Sequence, residues 1–416
     1  MIQVIRRSIV DIYSRYSFSR QSLAYDSKGK LYHLHNARYE TGKFGQAVMV
    51  EEGTTNKLAN GDCEIAVPTL GGVAGSHAGI ATPTLDTAQK FGGASSLKIT
   101  TDATAGRVDR YFGLGSQASL NGLTAGAVYA FSVYVYIPSA SGINPSKVYL
   151  RAFDHNTVGY QETNSQAATA TDTWQRLTVI RTMRSDADAI FFRIEIYQDI
   201  TNASIYVDNL QVEQKAYATS FHPSTRSPET LTIPTAGVLS AGGPWTIEWL
   251  GRTNVSGVTY RVPIALVKGT GANAANRYID VALDGSNRPY ISYWNGSTVV
   301  AKTGSTLSEP TTMHYWALTY DGTTVKLFVD GVAVIITAAT LAGNFPDELF
   351  VGFWDGNTYY WNGLIDDLRI SSRARTDAEI ADAYASNAPL PVDADTTLKL
   401  DFDGPDAQRA AKVLVA

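Results

Sequence analysis

The chain has 416 residues, of which 44% are hydrophobic and 18% charged, with a formal net charge of -5. That length predicts two or three domains able to bury ordinary cores, and the single cysteine, Cys63, excludes an intrachain disulfide framework and a cysteine-built zinc site. The charges are spread without blocks, so nothing marks a nucleic-acid surface, and 35 glycines and 23 tyrosines beside few helical repeats favour sandwiches or barrels.

Residues 1–59 are the most basic part of the chain, with Arg6, Arg7, Arg15, Arg20, Lys28, Lys30, Arg38 and Lys43 among Tyr13, Tyr16, Tyr25, Tyr32 and Tyr39. Arg6, Arg7, Asp11 and Arg15 interrupt every apolar run near the start, which reads as neither a secretory signal nor a membrane span. The segment has too little apolar content for a core of its own. It is expected either as a solvated arm or as a docking arm ordered by a neighbour.

Strand patterns dominate residues 60–220. In VYAFSVYVYIP, Tyr129, Phe131, Val133, Val135 and Ile137 share one face, and Ser132, Tyr134 and Tyr136 share the other. AIFFRIEIYQD places Ile190, Phe192, Ile194 and Ile196 inward and Phe191, Arg193, Glu195 and Tyr197 outward. KVYLRAF adds Tyr149, Arg151 and Phe153 on one side. Aromatic rings beside Arg and Glu suit sugar recognition, because rings stack on the apolar faces of pyranoses and charged planar groups bond hydroxyls. The alternative is a face covered by loops or a partner subunit. Glycan candidates here are Tyr134, Tyr136, Arg151, Phe191, Arg193, Glu195 and Tyr197.

IYVDNLQVE ends this module, and HPSTRSPE, with two prolines, reads as a linker over 221–229. A second module follows over 230–403. Trp245, Ile247 and Trp249 alternate in PWTIEWLGR, and Asp284-Gly285, Asn295-Gly296, Asp321-Gly322 and Asp330-Gly331 mark tight turns of a meander. Trp316, Leu318 and Tyr320 face the same way, as do Val325, Leu327 and Val329. Thr376 and Glu379 have capping-box spacing before a helix whose apolar side is Ile380 and Tyr384. The aromatic run WDGNTYYWNG supplies further glycan candidates, Trp354, Tyr359, Tyr360 and Trp361, with Tyr293 and Trp294 nearby and Asp355, Asn357 and Asn362 to fix hydroxyls. An assembly contact is the competing use of those rings. Residues 404–416 form a tail, and Leu398, Leu400 and Phe402 belong to a strand that closes either in cis or with a neighbour.

Catalytic patterns are missing from the sequence. Glu248 stands alone in its strand, Asp366 and Asp367 are adjacent and point to opposite faces, and His77, His155, His222 and His314 have no nucleophile-elbow surroundings and read as surface histidines. No enzyme activity is expected.

HYWALTYDGTTVKLFVDGVAV followed by GLIDDLRISSRARTDAEI resembles the laminin-G-like, concanavalin A-like jelly roll. NGDCE, AVYAFSVYVYIP and IYVDNLQVE resemble the carbohydrate-binding jelly rolls of the family 4/9 type. The two resemblances imply an all-β chain of two antiparallel jelly-roll sandwiches in tandem behind an extended N-terminal arm. Both families often carry a structural calcium ion, which implies Asp62, Glu64 and Asp208 as its ligands if the first and last strands pair, while Asp208 capping a turn is the alternative. Asp366 is expected to be buried and bonded to backbone. Finally, FSRQSLAYDSKGKLYHLHNARYETGKFGQAVMVEEGTTNKLANG with DNLQVEQKAYATSFHPSTR is similar to the layout of bacteriophage and prophage tail or virion-surface proteins. That layout implies a virion-surface location, other virion proteins as partners of the arm, a homotrimer and adsorption to host surface polysaccharide, with no membrane insertion and no required cofactor. A capsule depolymerase and a purely architectural decoration protein are the rival classes.

Overall fold

The computed structural model describes residues 17–403 apart from 23, 29, 33–36, 241, 270–276, 342–344 and 355–358. The described residues form an all-β protein with a single α-helix, Asp377–Ala385, and every paired strand is antiparallel. They fall into two compact units. One comprises 24–31 and 54–226, the other 17–22, 32–53 and 227–403.

The first unit is a sandwich of two five-stranded sheets. One runs Thr84–Asp86, Ser96–Thr100, Ser204–Glu213, Val128–Tyr136, Trp174–Thr182; the other runs Gly159–Asn164, Val148–Asn156, Ala189–Tyr197, Asp109–Leu114, Ala74–Ala78. Period-two alternation builds the core between them. Phe131, Val133 and Val135 meet Ile190, Phe192 and Ile194 there, with Leu97, Ile205 and Val207 from the flanking strands.

The second unit packs a seven-stranded sheet on an eight-stranded one around Trp245, Trp249, Trp316 and Trp361, all fully buried. Each expected Asp-Gly or Asn-Gly pair lies at a hairpin turn, between Arg277–Leu283 and Pro289–Trp294, then Val299–Thr303, and between His314–Tyr320, Thr324–Val329 and Val332–Ala338. The meander faces are as expected, with Trp316, Leu318 and Tyr320 in one core with Val325, Leu327 and Val329. The capping box at Thr376 and Glu379 is formed. Ile380 is buried, but Tyr384 is 42% exposed.

The described part of the segment read as an N-terminal arm is structured differently. Ser17–Ser19 pairs with Thr230–Pro234, and Arg38–Thr41 and Gln46–Val50 extend the eight-stranded sheet beside Gly363–Ser371. Val48 and Val50 join the core. The sequence predicts a solvated arm or an arm docked on a neighbour; instead Arg20 and Arg38 are fully buried within the second unit on Glu229, at 2.8 and 2.7 Å, and Arg38 also pairs with Glu51 at 2.7 Å. Charge neutralisation thus lets an apparently hydrophilic segment be interior. The 221–229 stretch is likewise packed, with Phe221, His222, Arg226 and Glu229 all buried. Residues 1–16 and the 404–416 tail lie outside the described residues. Thr396–Leu400 closes in cis, pairing Leu398 with Ile370 and Leu400 with Leu368.

Candidate functional site

On the first unit's sheet that carries Val128–Tyr136, alternation leaves two neighbouring cross-strand rows on the face away from the core. One row is Arg176, Tyr134, Asp208; the next is Trp174, Tyr136, Tyr206, Lys98. Rows of this kind bring side chains on adjacent strands to within contact of one another.

The first row is roofed. Phe91 stacks on Tyr134 with ring centroids 3.8 Å apart and 15° between planes. Its loop is pinned below, because Asp208 Oδ2 accepts the N–H groups of Phe91 and Gly92 at 2.9 and 3.1 Å, and Glu64 accepts that of Ala94 at 2.9 and 2.8 Å. Gly93 must be glycine, since φ is +56° and a Cβ would overlap the Glu64 carboxylate. Tyr134 is therefore buried and offers no stacking face.

The second row is open. Tyr136 lies 5.6 Å from Trp174 and 6.3 Å from Tyr206, and the Lys98 ammonium sits 5.8 Å from the Tyr206 ring. Phe91 stands edge-on to Trp174 at 5.8 Å and forms a wall along the row. The rings are half-buried, and polar groups border them. Thr100 and Ser204 share a hydroxyl bond of 2.9 Å, and Asp172 is held below the usual carboxylate range by bonds from Ser139 and, more weakly, Tyr136. The result is a shallow trough floored by three rings, walled by Phe91 and bordered by hydroxyl, carboxylate and ammonium groups. Of its members only Tyr136 was named as a candidate. The strand Trp174–Thr182 was missed, although TWQRLTVI carries a half-buried alternation.

The opposite sheet of this unit places Arg151, Phe191, Arg193 and Glu195 together, as expected, but not as a stacking platform. The Arg193 guanidinium covers the rings, 3.7 Å from Tyr111, 4.6 Å from Phe153 and 5.4 Å from Phe191. Phe191 and Glu195 are each 1% exposed. Arg151 bonds the Tyr149 hydroxyl at 2.7 Å and pairs with Glu195 at 3.1 Å and Glu162 at 3.2 Å. Burial pushes the Glu195 carboxyl up to about 7 against the opposing pull of Arg151 and Arg193. Tyr197, 45% exposed, is the candidate on this strand that reaches solvent freely.

The residues considered for calcium do not fit a cation. Two of the three carboxylates, Glu64 and Asp208, face backbone N–H donors, the wrong polarity for a metal ligand set, and Asp208 is fully buried with its carboxyl raised by burial to about 7. Asp62 is half-buried beside them in sequence. Among the described residues no group of three or more His, Cys, Asp and Glu side chains is placed to hold a metal ion.

In the second unit, Trp354, Tyr360, Trp361 and Asn362 of WDGNTYYWNG are buried, whereas Tyr359 is 40% exposed. Trp361 is fully buried and its Nε1 donates to Leu364 O at 3.0 Å, and Tyr360 is 3% exposed and bridges Val262. Tyr293 is buried, donating to Ala338 O at 3.1 Å, and Trp294 is half-buried. Asn362 is buried, accepting from Glu52 N at 2.9 Å. Trp354 and Tyr359 line a pocket. Asp355 and Asn357 lie outside the described residues.

The carboxylates weighed for catalysis have structural partners. Glu248, fully buried, accepts from Tyr315 Oη at 2.6 Å and from Arg369 at 2.6 and 2.8 Å, with Arg375 at 3.2 Å. Asp366 is buried and accepts from the backbone of Lys43 and Phe44, as expected. Asp367 accepts from Leu390 N and pairs with Lys399. Two of the histidines are not on the surface. His222 is 4% exposed, and His314 is 9% exposed between Asp330, at 2.7 Å, and Glu309 O, at 2.8 Å.

Residues 227–381 match the family model of the concanavalin A-like lectin/glucanases superfamily. The chain is an all-β protein of antiparallel sandwiches, and its second unit carries the concanavalin A-like jelly roll. No curated protein matches the chain. Among solved structures, similarity is found to the CBM40 of the Ruminococcus gnavus IT-sialidase bound to α2,3-sialyllactose, at 15% identity and TM-score 0.31, over 35% of this chain and 83% of that one. The CBM22-1–CBM22-2 tandem of Paenibacillus barcinonensis Xyn10C is similar at 13% identity and TM-score 0.27, over 71% and 93%. The SAP-like pentraxin of Limulus polyphemus is similar at 9% identity and TM-score 0.30, over 42% and 79%.

Proposed function

We propose that this chain is a non-enzymatic glycan-binding protein of a bacteriophage particle surface, and that it holds an extended saccharide on the Trp174, Tyr136, Tyr206 trough. The observation that carries the reading is the contrast between the two rows. A built loop covers the aromatic residue of one, while three rings of the next stay open in a border of hydroxyl and charged groups. Pyranose rings present apolar faces to stack and hydroxyls to bond, which is what such a trough accommodates. The family matched by 227–381 is named for lectins and glucanases alike, which supports a carbohydrate as the ligand without distinguishing binding from cleavage.

A non-enzymatic role is supported by Glu248, Asp366 and Asp367, whose carboxylates are enclosed by internal partners and unavailable to a scissile bond. The virion placement, the trimer, the virion partners and adsorption to a host polysaccharide rest on the similarity of the sequence layout to phage surface proteins. Adsorption is tested by incubating the fluorescently labelled chain with host cells before and after enzymatic removal of surface polysaccharide. Binding that falls with the polysaccharide, and falls as far with Trp174→Ala, supports the reading; binding indifferent to both overturns it. Release of reducing ends from the purified polysaccharide would instead establish a depolymerase.

A further inference from the structure

The second unit contains a pocket of about 130 Å³ lined by Tyr260, Val262, Arg277, Asp280, Ala282, Tyr290, Ser292, Trp354 and Tyr359. We propose that it is a second, independent saccharide site that takes one neutral pyranose ring with adjacent hydroxyls.

The floor follows from strand geometry. Along Arg277–Leu283, Ile279, Val281 and Leu283 fill the core, so Asp280 and Ala282 point the other way. Residues three apart on a regular strand face opposite sides, yet Arg277 pairs with Asp280 at 2.8 Å. The pairing register shifts at this point, with Leu266 opposite Ile279 and Val267 opposite Arg277, so Tyr278 is a bulge that turns Arg277 onto the face of Asp280. Ser292, directly across from Asp280, donates to its Oδ1 at 2.6 Å. Ala282 lies opposite Tyr290, and its short side chain leaves the depth of the pocket.

Aromatic walls rise from this floor. Trp354 lies under the Arg277 guanidinium at 4.5 Å, Tyr260 packs on Tyr290 at 5.1 Å, and Tyr359 stands at 88° to Tyr260 at 5.6 Å. Both rim tyrosines have positive φ, +25° at Tyr260 and +63° at Tyr359, a conformation that bulky residues avoid and that surrounding structure must impose. Tyr359 is 40% exposed at the mouth, whereas Asp280 is 4% exposed at the base.

Size and charge select the ligand. The volume is well below the ~300–1,000 Å³ of pockets for drug-sized molecules, which fits one ring and not a chain. Arg277 and Asp280 together carry no net charge, so an anionic sugar gains nothing at the floor. One hydroxyl can accept from Arg277 while its neighbour donates to Asp280, with the half-buried Tyr290 stacked on the ring face. The site rests on the same glycan reading as the trough but belongs to the other unit, so either can fail without the other.

The test is saturation-transfer NMR on the full chain with methyl glycosides of glucose, galactose, mannose, N-acetylglucosamine and rhamnose. At least one should give ring-proton saturation that Tyr290→Ala abolishes, that Ala282→Leu abolishes by filling the floor, and that Trp174→Ala leaves unchanged. Unchanged thermal unfolding of Ala282→Leu shows that the loss is local. The proposal is overturned if no methyl glycoside is saturated, or if Ala282→Leu and Tyr290→Ala both bind as wild type. If Trp174→Ala loses host binding while the monosaccharide signal persists, the trough and the pocket are separately established.

Discussion

Replacing Glu248 with Gln changes shape little and removes one negative charge from a buried ionic cluster of the second unit. Glu248 is fully buried, and its two oxygens receive Tyr315 Oη and two bonds from Arg369, which is itself 2% exposed, with Arg375 alongside at 6%. Arg369 keeps a bond to Pro391 O at 2.6 Å and Arg375 keeps Asp393 at 2.6 Å, so the guanidinium groups are not stripped of every partner. Breaking a buried pair by removing one charge costs about 3–5 kcal/mol. The amide also turns a donor toward a guanidinium or the tyrosine hydroxyl, which places the expectation in the upper half of that range. For a unit of this size, with about 2–4 °C lost per kcal/mol, the calorimetric transition of the second unit should fall by roughly 10 °C or more while the first is unmoved. A shift of under about 1 kcal/mol would refute the reasoning, and a stable variant that had lost polysaccharide cleavage would make Glu248 a catalyst.

Other perturbations have signs fixed by the structure. Burial raises the folded pKa of Glu195 to about 7, above its ordinary value, so its contribution to the first unit is full at acid pH and is lost as pH rises through about 7. Unfolding between pH 5 and 8 should show this slope, and Glu195→Gln should reduce it, leaving the share of Asp208, whose carboxyl is also raised to about 7. For His314 burial alone would lower the pKa, but bonds to Asp330 and Glu309 O raise it above 6.5; its stabilisation is therefore present below 6.5 and lost above the folded value, and His314→Gln should remove that part of the second unit's pH dependence. Gly93→Ala forces a side chain into a left-handed position against Glu64 and should cost the first unit about 1–2 kcal/mol in urea unfolding, freeing Phe91 from Tyr134.

The strands were legible wherever one face met a core. Tyr129 to Ile137, Ile190 to Ile196 and Trp316 to Val329 all follow a period of two, and tight Asp-Gly and Asn-Gly turns fixed the meander. Membership of a sheet was not legible for Gln46–Val50, because pairing with Gly363–Ser371 joins residues more than three hundred positions apart and leaves no local trace. Nor could Arg20 and Arg38 be read as interior, since their neutralisation by Glu229 is equally remote in sequence. The candidate site suffered from the same limit. Alternation tells which side of a strand Tyr134, Phe191 and Tyr136 occupy, but only the loop carrying Phe91 and the guanidinium of Arg193 decide which remain open. The bulge at Tyr278 that brings Arg277 beside Asp280 breaks the alternation on which a sequence reading depends.

The central claim is that an open row of rings on the first unit holds an extended saccharide. A microbial glycan array probed with the full chain and with the Trp174→Ala, Tyr206→Ala double variant tests it most directly. The account predicts that wild type retains saccharides of three or more units and that the variant, folded as judged by unchanged thermal unfolding, binds them about tenfold more weakly or worse. Equal retention by wild type and variant, or no retained glycan at all, would contradict it.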